Sequence, residues 1–235
     1  MQNYINSKFK IFKFQNKTQY SIINKKLTSK FKNKNFLGKL VIPKDSSYKK
    51  IKLKIKNPYL SSNLNDENMS FVFELSKILK IKFNSFLESL KTFKGLPHRY
   101  EIFLQKKNCT FINDSKATSF QAAKFALKNT KNIFWILGGL PKKNDSFNLN
   151  NLKKNIIKSY IIGNNRNFFE RQLKKKINYK VSKYLRNSIV HVLKDVKKLQ
   201  NINNYILFSP AAASFDQFKN FEKRGEKFKK LSKYY

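Results

Sequence analysis

The chain has 235 residues, with 51 Lys+Arg against 13 Asp+Glu for a formal charge of +38, and 40% of its residues are hydrophobic. That length holds one large domain or two small ones, and the apolar content is sufficient for a core, so the charge does not imply disorder. A single cysteine, Cys109, and two histidines exclude an internal disulfide and a His/Cys metal cage.

No carboxylate precedes Asp45, and Met1 to about Asn57 alternates apolar and basic residues, as in Phe9-Lys10-Ile11-Phe12-Lys13-Phe14 and Ile51-Lys52-Leu53-Lys54-Ile55. Alternation is the period of a strand with one wet face, so this segment is predicted to be β-rich. Asp66 to Lys80 carries Met69, Val72, Leu75 and Leu79 at helical spacing, and Ser85 followed by Glu88 has the capping-box pattern of a second helix. Gly95-Leu96-Pro97 breaks the chain and puts a domain boundary near residue 94, dividing it into 1–94 and 95–235.

Beyond the break the pattern becomes strand alternating with helix. Tyr100–Gln105 and Thr110–Asn113 read as paired strands, Phe120–Leu127 as a helix, and Ile133–Leu137 as a buried strand ending in Gly138-Gly139. A helix is expected from about Leu149 to Lys158, then a strand at Tyr160–Ile162 and a long helix with Ile189, Val192, Leu193, Val196 and Leu199 on one face. Tyr205–Phe208 is another buried strand, and Phe218, Phe221, Phe228 and Leu231 mark a terminal helix. Repeated units of this kind predict an α/β fold with a doubly wound sheet, whose ligands sit beyond the carboxyl ends of the strands.

The charge points first to nucleic acid, since clustered cations gain by releasing counterions from phosphates. Here lysine exceeds arginine, the lysines are spread along the whole chain, and no nucleic-acid module is present, so a solvated cationic surface is the favoured reading. No apolar run is long enough for a signal core or a spanning helix, and the chain is expected to be soluble and cytoplasmic, without membrane contact.

Three polar clusters follow predicted strands: Asn113-Asp114-Ser115-Lys116-Ala117-Thr118, Gly138-Gly139-Leu140-Pro141-Lys142, and Ser209-Pro210-Ala211-Ala212-Ala213-Ser214-Phe215. Lys116 and Lys142 put two ammonium groups over one sheet edge, with Thr118 and Ser214 as neutral donors, which suits a small ligand carrying carboxylates. Singly, Asp114, Ser115 and Ser214 read as helix caps and Lys142 as one lysine among many; three clusters at strand ends favour a site. Asp114 has two further readings, as acceptor to a ligand hydroxyl or as metal ligand. His98 and Arg99 lie on the boundary, where His98 either faces a cleft or is a hinge residue satisfied by backbone. His191 reads as structural, and Cys109 has no general base in sequence range.

Together these clusters resemble the D-glutamate-adding Mur ligases, ATP-dependent enzymes of peptidoglycan synthesis. Gly95-Leu96-Pro97-His98-Arg99-Tyr100-Glu101 is similar to their junction between central and C-terminal domains, and Asn113 to Thr118 to their NDSKAT motif. Ser209 to Phe218, with Asn220-Phe221-Glu222 and Arg224-Gly225, is similar to their C-terminal signature. The resemblance implies part of a Mur ligase central domain over 1–94, followed by a Rossmann-like doubly wound C-terminal domain over 95–235.

It also implies a reaction: the carboxylate of UDP-N-acetylmuramoyl-L-alanine is joined to the amine of D-glutamate through an acyl phosphate made from ATP, with Mg2+. D-glutamate contacts then fall on Lys116, Thr118, Lys142, Ser214, Phe215 and Phe221, and ATP contacts on Asn65, Asn68, Arg99 and Asp114. His98 lies where domain closure would bring it to the reacting groups. Tyr4-Ile5-Asn6-Ser7-Lys8 resembles the segment whose lysine is carbamylated to help hold magnesium, making Lys8 a catalytic and metal candidate. Leu64 stands where the pattern around Asn65 and Asn68 has histidine.

None of the six glycines lies in a GxxxxGK[ST] context, and the resemblance covers only the later half of the family's architecture. The chain is therefore expected to be a truncated form without the UDP-binding domain and phosphate loop, inactive alone and open to pairing with an N-terminal half in trans. The alternative is a non-catalytic remnant that binds D-glutamate or an anionic partner such as RNA.

Overall fold

The computed structural model describes residues 2–57, 59–60, 65–106, 108–199 and 203–234. Leu64 lies outside them. The chain divides into two units, Met1–Lys94 and Gly95–Tyr235.

In the first unit, α1 (Gln2–Lys13), β1 (Tyr20–Ile22), α2 (Thr28–Lys32) and β2 (Lys39–Val41) are followed by α3 (Asp45–Ile55), α4 (Asp66–Ile78) and α5 (Phe83–Lys91). β1 and β2 pair in parallel, Ser21 opposite Leu40. The two alternating stretches read as strands are helices, because the burial period is that of a helix. On α1, Phe9 is buried with Ile5 and Phe12 against Phe31 and Phe36, while Ile11 and Phe14 face solvent at 69% and 83% exposure. On α3, Ile51 and Ile55, four residues apart, are buried with Tyr48, and Leu53 between them is 81% exposed. Residues at i and i+4 share a helix face as well as a strand face, so alternation over five or six residues does not separate the two. Ser85 is the third residue of α5, not its cap; Lys82 stands at the N-cap without a side-chain bond.

The second unit runs β3 (Glu101–Lys106), β4 (Cys109–Asn113), α6 (Phe120–Asn129), β5 (Ile133–Gly138), β6 (Ile156–Ile162), α7 (Arg166–Leu173), β7 (Tyr179–Lys183), α8 (Leu185–Val196), β8 (Asn204–Phe208) and α9 (Phe221–Lys233). Among the described residues these strands form one sheet of order β3-β4-β8-β5-β6-β7, parallel except for the β3–β4 hairpin. The side chains of β5 alternate between two cores. Ile133, Trp135 and Leu137 pack with α6 and α7, and Phe134 and Ile136 pack with α8 and α9. Helices thus cover both faces, as the near-continuous apolar strands require.

The helix expected over Leu149–Lys158 is replaced by a 3-10 turn at Lys153–Asn155 and the start of β6 at Ile156. Asn155 donates from Nδ2 to Leu127 O at 2.9 Å, and β-branched Ile156 and Ile157 lead into a strand paired on both sides. That ladder outweighs any helix a Lys- and Asn-rich segment could form. α7 and β7 have no counterpart among the expected elements, because their apolar residues are few. The strand order places β8 between β4 and β5, so the three polar clusters leave adjacent parallel strands at the same sheet edge.

Candidate functional site

The loop from Gly95 to Tyr100 is tight and left-handed at three places: Gly95 (φ 78°), His98 (φ 63°) and Tyr100 (φ 47°). Such φ values cost a non-glycine residue on the order of 1 kcal/mol, and two carboxylates offset the strain. Glu101 Oε2 accepts from the His98 backbone N at 3.0 Å, and Asp114 Oδ1 accepts from the Tyr100 N at 3.1 Å. The backbone carbonyl of His98 in turn accepts from the Lys116 N at 3.0 Å, which joins this loop to the end of β4.

Asp114 is 8% exposed, and its second oxygen accepts from Ser209 Oγ at 2.6 Å. Burial outweighs these hydrogen bonds and the nearby Arg99 guanidinium and pushes its carboxyl up to about 7. Both oxygens are engaged, which leaves lone pairs for a ligand hydroxyl but a poor ligand set for a metal. Among the described residues no group of three His, Cys, Asp or Glu converges.

Arg224 joins the three clusters. It is 1% exposed, donates from Nε to Ser115 Oγ at 3.1 Å, and donates from Nη2 to Ser115 O at 2.8 Å and Ala212 O at 3.0 Å. A Cβ on Gly139 would come within 3.2 Å of Nη1, so the loop after β5 closes over the same guanidinium, and Leu140 and Ala213 exchange backbone hydrogen bonds beside it. Burial lowers the Arg224 pKa to about 10 against the pull of Asp216, well above neutrality, so it remains a cation. In the sequence Arg224 stands in the Arg224-Gly225 pair of the C-terminal signature, with no role assigned to it. Its signal was available: Phe221, Arg224, Phe228 and Leu231 form one helical stripe, and a lone arginine on an apolar stripe needs acceptors.

Asn220 caps α9 by accepting from the Lys223 N at 2.8 Å, and Ser115 Oγ donates to Phe221 O at 2.8 Å. The Phe221 ring then lies under Lys116, whose Nζ stands 3.6 Å from the ring centroid, and edge-on to His98 at 6.0 Å. Lys116, Phe221 and His98 are thus neighbours. Ser214 is 2% exposed and follows the Leu140–Ala213 bridge; Thr118 is half-buried, and Lys142 and Arg99 are exposed. Phe215 projects outward at 71% exposure.

The remaining candidates belong to the first unit. Asn65 precedes α4 and donates from Nδ2 to Tyr59 O at 2.7 Å, and Asn68 is exposed in the first turn. Lys8 is exposed on α1 with its ammonium 5.5 Å from the Tyr4 ring centroid. A cleft of about 840 Å³ in this unit is lined by Asn24–Lys26, Ile42–Lys44, Glu67, Ser70 and Phe71, and by none of these three candidates.

No family model matches the chain. It is 32% identical over 243 residues to the UDP-N-acetylmuramoylalanine–D-glutamate ligase of Wolbachia sp. subsp. Brugia malayi, covering 97% of this chain and 49% of that protein. The ligase of the same name from Rickettsia prowazekii is 32% identical over 99% of this chain and 57% of its own length, and that of Agrobacterium fabrum 42% identical over 59% and 30%. The chain thus spans about half the length of the curated relatives it matches. Among solved structures, MurF from Acinetobacter baumannii superposes with a TM-score of 0.55 at 12% identity, over 73% of this chain and 38% of that one, a likeness of fold. The chain is a relative, along nearly its whole length, of the UDP-N-acetylmuramoylalanine–D-glutamate ligases, corresponding to about their C-terminal half on a Mur ligase fold.

Proposed function

We propose that these residues carry the amino-acid-accepting half of an ATP-dependent ligase, acting in the cytoplasm, that joins D-glutamate to UDP-N-acetylmuramoyl-L-alanine for peptidoglycan synthesis. The observation that supports it most is the Arg224 junction, which bonds the loops after β4 and β8 together beside the Leu140–Ala213 bridge to the loop after β5, with Lys116 set on the Phe221 ring. Two lysines and two hydroxyls suit a dicarboxylate: Lys116 and Lys142 pair its carboxylates, and Thr118 and Ser214 donate to them, leaving the amine to be held for attack. Phe215, exposed at the rim, closes over the bound amino acid.

ATP, when bound, supplies the phosphoryl group that turns the acceptor carboxylate into an electrophile. Arg99 and Asp114 are its contacts in the second unit, the first as a cation and the second as acceptor to a hydroxyl, and Asn65 and Asn68 are its contacts in the first. Mg2+ belongs to this reading through Lys8, but the described residues do not by themselves form a magnesium site. No GxxxxGK[ST] occurs in these 235 residues, so turnover is expected only when another segment, in cis or in trans, supplies the phosphate loop.

Isothermal titration of the chain with D-glutamate, using L-glutamate as control, tests the reading. Stereoselective binding that Lys142→Ala abolishes supports it. Absence of D-glutamate binding by the folded chain, alone and with the N-terminal half of a relative added, overturns it. The charge of +38 favours one other outcome, RNA binding that is salt-sensitive and survives Lys116→Ala and Lys142→Ala.

A further inference from the structure

Behind His98 lies a chain of side chains with no role in the reading above. Lys229 on α9 pairs with Glu101 Oε1. Glu101 Oε2 accepts both from the His98 backbone N at 3.0 Å and from Asn113 Nδ2 at 3.0 Å. Asn113 is wholly buried, and its Nδ2 lies 2.9 Å from His98 Nδ1.

The orientation of the Asn113 amide is determined by its partners. Its Oδ1 faces the Ser115 backbone N–H at 3.3 Å, a donor that only an oxygen can meet. Its Nδ2 faces Glu101, and the Lys229 ammonium and these hydrogen bonds hold that carboxyl below its ordinary value despite partial burial, so it is an acceptor at neutral pH. With Nδ2 donating one hydrogen to Glu101, its other hydrogen points at His98 Nδ1, which must accept it. A neutral imidazole that accepts at Nδ1 carries its proton at Nε2. Nε2 has no hydrogen-bond partner among the described residues, and its ring stands beside Phe221 and Lys116.

We infer that Glu101 and Asn113 are positioning residues that hold His98 in the Nε2–H tautomer, so that its imidazole presents a hydrogen-bond donor, not a base, to an anionic ligand oxygen. The ligand class is a carboxylate or phosphoryl oxygen, and this consequence rests on the functional reading above; the tautomer does not. A donor there stabilises charge on oxygen and takes no proton from the attacking amine, whose proton must leave to another acceptor.

The test is the imidazole 15N spectrum of the full chain at neutral pH, with His191→Gln removing the other histidine. Nδ1 should resonate as unprotonated and Nε2 as protonated. In the exchange variant Glu101→Gln/Asn113→Asp the acceptor and donor trade places, the new carboxylate accepts from Nδ1–H, and the pattern should reverse. Protonated Nδ1 in the parent chain overturns the inference, as does an unreversed pattern in a folded exchange variant. Neither result depends on D-glutamate binding, so failure of the ligase reading would be seen separately in the titration.

Discussion

A Cβ built on Gly225 would lie 2.2 Å from His98 Nδ1 and 3.0 Å from Asn113 Oδ1, so α9 meets the junction loop at the one residue type that leaves room for the imidazole. Gly225→Ala gains about 1 kcal/mol of helix propensity but forces His98 off its Asn113 contact. Overpacking of this kind costs about 1–3 kcal/mol, and the net effect should be a lower urea midpoint with a displaced His98 resonance. An unchanged midpoint and spectrum would show that the loop yields freely.

Arg224→Met should lower stability by about 2–4 kcal/mol, because it leaves Ser115 O and Ala212 O buried without donors. Arg224→Lys should not restore it, since one ammonium cannot reproduce a fork that reaches both carbonyls and Ser115 Oγ. Urea unfolding of the three chains checks both statements. Recovery by lysine would show that charge, not the planar fork, holds the loops.

Asp114 makes stability fall as pH rises. Its carboxyl is raised to about 7 in the folded chain against about 3.9 unfolded, so between those values the folded state holds the extra proton. The contribution is full below about pH 4, is lost through the rise to about pH 7, and stays level above. Asp114→Asn, which keeps an acceptor and cannot ionise, should remove the part of the decline between pH 5 and 8, about 1–3 kcal/mol. Glu101 and Asp195 are lowered and titrate below this window. A carboxyl 13C midpoint for Asp114 near 4 would contradict the prediction directly.

Phe221→Leu keeps an apolar residue at the start of α9 but removes the ring 3.6 Å below the Lys116 ammonium. Loss of a cation–π contact is worth about 0.5–2 kcal/mol, and D-glutamate affinity should fall by about 2- to 30-fold. Titration of the variant gives the ratio; unchanged affinity would mean that Lys116 is placed by its backbone alone.

The strand runs at Ile133–Leu137 and Tyr205–Phe208 were legible because a strand buried on both faces must be apolar without interruption, and each ended in a polar cluster that marked the sheet edge. Phe9–Phe14 and Ile51–Ile55 were not, because over so few residues a helix and a strand bury the same letters, and only the neighbours in the fold select the period. The segment after Leu149 misled for a related reason: its isoleucines could serve either structure until β5 and β7 claimed them on both sides.

The sequence by itself therefore determined the strand-end clusters and the lysines and hydroxyls they carry, since both follow from local pattern and charge. Only the tertiary structure decided that Arg224, 109 residues from Ser115, closes those clusters into one edge, and that Glu101, Asn113 and Lys229 stand behind His98. Hydrogen-bond complementarity between buried groups distant along the chain leaves no periodicity to read; it exists only where the sheet brings donor and acceptor together.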